Sequence, residues 1–153
     1  MSEASGERIR VMVRWVQILD NLEPAFDEKG EFVFTSVVSS DNLGGARKES
    51  RYPATGHISI SDQPVFNREI INWVIFEGEI TDHLVIELYG EELDRFSAND
   101  HLDTYRREFR GPVSTWLGTY GPGEDLSEDD AGGEDPEMMS NWRVNIFIDR
   151  LED

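Results

Sequence analysis

The sequence contains no cysteine in 153 residues, which excludes disulfides, thiolate metal sites and thiol redox switching. Lysine is almost as scarce, with only Lys29 and Lys48, and 14 basic residues stand against 32 acidic ones for a formal charge of −18. Such a surface lacks the cations that neutralise phosphates, so nucleic acid is not an expected partner. Anionic membranes are repelled for the same reason, and weak or no binding to them is expected. No apolar run approaches the roughly 18 residues needed to span a bilayer. The first seven residues hold neither a basic stretch nor an apolar one, so no signal peptide is legible. The expectation is a soluble, cytoplasmic chain. High acidity with few lysines is also an adaptation to salty surroundings, and in that case it implies no site.

What the chain does have is period-two patterning. A domain of this length buries roughly 68–70% of its unfolded surface, enough for a core without covalent staples. Ile9, Val11, Val13 and Trp15 alternate with Arg8, Arg10, Met12 and Arg14. Phe32, Phe34, Ser36 and Val38 repeat the pattern, as do Leu84, Ile86 and Leu88, then Trp142, Val144, Ile146 and Ile148. Alternation of this kind is the signature of strands with one covered face. Ile70–Phe76 is apolar apart from Asn72, which predicts a strand covered on both faces. A shorter strand is expected within 56–61. Leu102, Tyr105, Arg106 and Phe109 would share a helix face, but Tyr105, Arg107 and Phe109 also suit a strand, and we take the strand. The whole predicts one all-β domain over residues 1–153, an antiparallel β-sandwich of about eight strands. Residues 1–7 are expected to be flexible. Residues 111–141 read as a long connection, with a mobile acidic loop over 121–140 before the last strand. Eight acids and no base lie between Glu124 and Glu137, a composition that cannot bury enough apolar surface to offset its ordering entropy.

Two further turns concentrate carboxylates. The first holds Asp20, Glu23, Asp27 and Glu31, and the second holds Glu92, Asp94 and Asp100. Ca²⁺ takes six to eight oxygens from carboxylates, carbonyls and water, and closely spaced acids on a turn can supply them. Any chain this acidic also has acidic turns with no metal in them.

The run Leu84-Val85-Ile86-Glu87-Leu88-Tyr89, followed by Glu92-Leu93-Asp94-Arg95-Phe96-Ser97-Ala98-Asn99-Asp100, resembles the third calcium loop of the C2 domain family. Gln63-Pro64-Val65-Phe66-Asn67 is similar to an Asn-Pro-aromatic segment of that family, and the first acidic turn falls where its first calcium loop belongs. The resemblance covers about Ile9–Asp103. It implies an eight-stranded antiparallel sandwich that binds Ca²⁺ and then phospholipid in many members. Asp94 and Asp100 fall on the second and third acids of the family's pattern, and Glu92 replaces the usual first Asp. Asp27 and Glu31, then Asp20 and Glu23, are the next ligand candidates. The family's Asp-Pro-Tyr lead into the second strand is absent, Glu31-Phe32-Val33 standing there instead. Leu22, Phe26 and Phe96 occupy the places of membrane-entering or partner-contacting tips, although each could equally fold back under its own loop.

No catalytic apparatus is legible. His57, His83 and His101 are scattered singly, without zinc spacing, and there is neither a serine elbow nor a phosphate-binding glycine motif. The expectation is a non-enzymatic Ca²⁺-binding C2-like interaction module, with a protein partner as a further possibility. The alternatives are a metal-independent structural or protein–protein interaction sandwich, and a carbohydrate-active sandwich in which Trp116 is the open aromatic.

Overall fold

The structure is a computed structural model, and it describes residues 6–19, 29–41, 47–61, 68–93, 100–121 and 142–151. These form ten strands: β1 (Glu7–Ile18), β2 (Lys29–Ser39), β3 (Arg47–Tyr52), β4 (Ile58–Ser61), β5 (Arg68–Ile80), β6 (His83–Glu92), β7 (Asp100–His101), β8 (Tyr105–Arg110), β9 (Gly118–Tyr120) and β10 (Trp142–Arg150). All pairings are antiparallel. One sheet has four strands in the order β5-β1-β10-β9. The other has six, in the order β3-β2-β6-β7, with β4 beside β2 and β8 beside β6. Among the described residues no helix is long and apolar enough to cross a membrane.

The period-two faces meet as alternation requires. Phe32, Phe34 and Val38 of β2, with Leu84, Ile86 and Leu88 of β6, pack in one cluster with Ile9, Val11 and Val13 of β1 and with Trp142, Val144, Ile146 and Ile148 of β10. Phe34 stacks on Trp142 with ring centroids 5.5 Å apart and planes 8° from parallel. This contact joins the middle of β2 to the start of β10 across the core. Aromatic pairs also close both flanks. Tyr52 of β3 meets Trp73 of β5 at 5.9 Å, and Phe109 of β8 lies 5.7 Å from Trp116 and 5.1 Å from Tyr120. The edge strands of the two sheets are thereby held together.

Four readings of the sequence need correction. Trp15 does not share the face of Val13. The register of β1 slips between Val13 and Trp15 against both β10 and β5, and a one-residue slip turns every following side chain over. Val16 and Ile18 therefore enter the main core. Trp15, though only 3% exposed, lies outside that cluster with the Arg68 guanidinium 3.8 Å from its ring centroid. Second, β5 is not covered on both faces. It is an edge strand with Ile70 67% exposed, and Asn72 takes φ 46° at that same slip between Val13 and Trp15. Third, Arg47–Tyr52, which is missing from the strands expected above, forms a strand that pairs with β2 from Phe34↔Tyr52 to Ser39↔Arg47. Fourth, the connection after β8 is ordered through residue 121. Val113 and Trp116 are buried, a 3₁₀ turn spans Val113–Thr115, and β9 pairs with β10. The preferred strand at 105–109 is present as β8, and β4 accounts for the short strand expected within 56–61.

Removing the inter-sheet stack with Trp142→Ala should lower the unfolding free energy by about 3–5 kcal/mol. Ile70→Ser, on the open face of β5, should change it by less than about 0.5 kcal/mol. Urea unfolding of both variants checks the pair, and similar losses would mean that the outer face of β5 is covered.

Candidate functional site

The strand ends decide where the acidic turns attach. In the four-stranded sheet Ile18 pairs with Trp142 and Gln17 with Arg68, so β1 ends where β10 and β5 begin. In the six-stranded sheet Lys29 pairs with Ser61 and Phe32 with Glu92, which in turn pairs with Asp100. The Phe34–Trp142 stack and a hydrogen bond from Trp142 Nε1 to the Asp103 carbonyl put both sets of ends at one pole. The described residues flanking segments 20–28, 62–67 and 94–99 lie at this pole, and so does the start of β10 after segment 122–141. Those four segments contain fourteen acids and one base. The described residues contain fifteen acids and thirteen bases, a charge of −2 out of −18. The acidity therefore belongs to the segments between the strands, and the strand framework is nearly neutral.

Asp20, Leu22, Glu23, Phe26, Asp27, Asp94 and Phe96 lie outside the described residues, as do residues 1–5, the Gln63–Asn67 segment and residues 122–140. Glu92 is 1% exposed, and both its carboxylate oxygens are shielded from solvent. It faces the core side of β6, with its Cγ close to Gly30, where an added Cβ would come within 3.3 Å. A carboxylate so far from water needs positive charge, hydrogen-bond donors or a proton to stay there. The register brings positions 92 and 100 together. Glu31 is one residue out of step with Phe32, so it projects from the outer face, where an oxygen lies 3.6 Å from His57 Nε2. The structure therefore brings Glu92 and Asp100 together in register but sends Glu31 to the opposite face from Glu92. Among the described residues no group of three or more His, Cys, Asp or Glu side chains is placed to hold a metal ion.

A polar cluster that no sequence spacing foreshadowed sits toward the other pole, on the outer face of the six-stranded sheet. His83 opens β6 and is buried. Its Nδ1 accepts the Asp41 backbone N–H at 2.8 Å, and its Nε2 lies 2.7 Å from Glu108 Oε2. An Nδ1 that accepts carries no proton, so the hydrogen is on Nε2 and is donated to Glu108. Arg110 Nη2 reaches the same Glu108 oxygen at 2.7 Å, and Arg106 reaches the other at 3.5 Å. The hydrogen bond from His83 is the main influence holding the Glu108 carboxyl below its ordinary 4.5, Arg110 and Arg106 add to it, and desolvation opposes it. Both imidazole nitrogens are thus engaged in tying Asp41 and β8 to β6. The cluster can hold the sheet together, but it offers no free base to a substrate.

Trp116 is not an open platform. It is 2% exposed, packs on Phe109, and donates its Nε1–H to the Arg110 carbonyl at 3.2 Å. Tyr89 is instead a half-exposed aromatic on the outer face of β6, and its hydroxyl donates to Glu87 at 3.0 Å. Partial burial, then this bond and the Glu87 charge, raise the phenol above its ordinary 10.0. It remains a neutral donor at neutral pH. The chain matches no protein-family model, and no curated protein matches it.

The Glu108 carboxyl gives a pH test with a definite sign. A carboxyl whose folded value lies below its unfolded one adds stability above about pH 4.5, and that stability is lost as the pH falls through the folded value. Glu108→Gln should therefore be less stable than the parent at pH 6–7, with the difference shrinking as the pH drops below about 4.5. Urea midpoints measured across this range check it. A difference that grows in acid would contradict the assignment.

Proposed function

We propose that the chain is a non-enzymatic interaction module, C2-like in kind, whose acidic pole takes up Ca²⁺. The observation that carries this reading is the attachment of the acid-bearing segments to strand ends at a single pole, with Glu92 and Asp100 paired there in register. An ion needing six to eight oxygens can draw on carboxylates from separate turns only if those turns share an end of the sandwich. The two turns that resemble calcium loops follow β1 and β6, strands that finish at the same pole. The fit to Ca²⁺ is one of donor type: carboxylate oxygens, no thiolate, and no paired histidines.

In this reading Glu92, Asp94 and Asp100 are the first ligands, and Asp27 with the other acids of residues 20–28 supplies the remainder. Glu31, turned to the outer face, is the weakest of the proposed set. A bound divalent ion would relieve repulsion among the carboxylates and stiffen the turns that carry them. One or two ions leave a chain of −18 strongly acidic, so the partner we propose is a protein rather than an anionic membrane.

Calorimetric titration with Ca²⁺ should give saturable heat. At a free concentration 100 times Kd, stability should rise by about 2.7 kcal/mol, or roughly 5–10 °C in Tm for a domain of this size. Asp94→Asn combined with Asp100→Asn should abolish both effects without lowering the Tm measured in chelator. Absence of heat and of any Tm change at millimolar Ca²⁺ would overturn the metal reading and leave a metal-independent interaction module.

A further inference from the structure

We propose a second binding site, on the outer face of the six-stranded sheet, for a neutral, hydroxyl-rich ligand of the oligosaccharide class. It is centred on Tyr89 and is independent of the acidic pole's cation. The face bears a cleft of about 440 Å³ whose lining includes Val33, Thr35, Arg51, Tyr89, Glu91 and His101. That volume lies within the usual range for small-molecule sites.

The groups in the cleft are positioned before any ligand arrives. Tyr89 is 39% exposed, and its hydroxyl is tied to Glu87, which fixes the ring while leaving part of it to pack against a ligand. Arg51 is held by two carbonyls of the turn that follows β3: Nη1 donates to Pro53 at 2.6 Å and Nη2 to Gly56 at 2.8 Å. A guanidinium has five N–H groups, so these two bonds do not exhaust its capacity to donate. His101 is set by its neighbour. Leu102 is buried and donates its N–H to the Gly90 carbonyl at 2.8 Å. A Cβ at Gly90 would come within 2.4 Å of Leu102 Cδ1, so glycine at that position lets β7 and the chain after it close onto β6. His101 thereby stands opposite Glu91, with Nδ1 3.9 Å from the carboxylate. The tethers on Tyr89 and Arg51 reduce the ordering cost that otherwise offsets binding.

The chemistry selects the ligand class. One guanidinium, one carboxylate, one imidazole and the Thr35 hydroxyl line the cleft together with the aromatic ring, so it offers both donors and acceptors with little net charge. An anion would meet Glu91 in a chain of −18, and a metal ion would find no group of three ligands among the described residues. A ligand that both donates and accepts at neighbouring atoms, and that has an apolar C–H face for Tyr89, satisfies the arrangement. Sugar hydroxyls and pyranose faces have both properties.

The test is titration of the isotopically labelled full chain, in chelator, with cellohexaose, maltohexaose and chitohexaose, each to roughly 10 mM so that millimolar affinities register. At least one sugar should shift backbone amides confined to residues 33–35, 51, 89–91 and 101. Tyr89→Ala should weaken that sugar roughly three- to tenfold, the range expected for one aromatic contact. Tyr89→Phe should retain most of the affinity, and the unfolding midpoints of both variants should show that the fold is intact. Shifts elsewhere, shifts unaffected by Tyr89→Ala, or none with any of the three sugars would overturn the site. Because chelator is present throughout, none of these outcomes depends on the Ca²⁺ reading.

Discussion

The stack of Phe34 on Trp142 joins the two sheets near the pole where β1, β4 and β6 finish and where β2, β5 and β10 begin. Hydrophobic alternation can pair strands within each sheet, but it leaves open how one sheet is rotated over the other. A near-parallel stack at one end, with Tyr52–Trp73 on one flank and the Phe109–Trp116–Tyr120 group on the other, fixes that relation. Everything proposed for the acidic pole presupposes it, since carboxylates from different turns can cooperate only if their strand ends coincide.

The distribution of charge follows from the same architecture. Strands that alternate between core and solvent have few positions for unpaired acids, and their outer faces match charges across the ladder, as in Arg10–Glu77 and Arg150–Glu7. Such exposed pairs contribute little stability each. They do keep the framework close to neutral while the segments between strands carry the excess. The −18 is therefore concentrated rather than spread, which distinguishes this chain from one whose acidity simply coats its surface.

Much of the fold was legible because period-two alternation is a direct image of a sheet with one covered face. The strands around Val11, Phe34, Ile86 and Ile146 all announced themselves in this way, whereas the segment around Phe109 suited a helix face as well as a strand. What escaped was what alternation cannot encode. Arg47–Tyr52 alternates only among polar residues, so nothing apolar marked it as a strand. Trp15 kept the rhythm of Val11 and Val13, but a slip in register turned it to the other face. Ile70–Phe76 was dense in apolar residues without being covered, because an edge strand shows its outer side to water. For the site, the resemblance singled out Glu92, Asp94 and Asp100, and the structure pairs the first and last of these. The opposite orientation of Glu31 depends on one residue of register. The contacts of His83 with Asp41 and Glu108 join residues 42 and 25 positions away, a separation that only the sheet resolves.

Two edges of the sandwich have a consequence for self-association. β5 borders the four-stranded sheet, yet Asn72 at φ 46° and two slips in its pairing with β1 bend its hydrogen-bonding row out of line. β3 borders the other sheet and presents Arg47, Lys48, Glu49 and Arg51 in close succession. An incoming strand needs a straight, uncharged template to extend a sheet, and neither border supplies one. The exposed Ile70 can thus sit on a long edge strand without making that edge a nucleus for cross-β stacking.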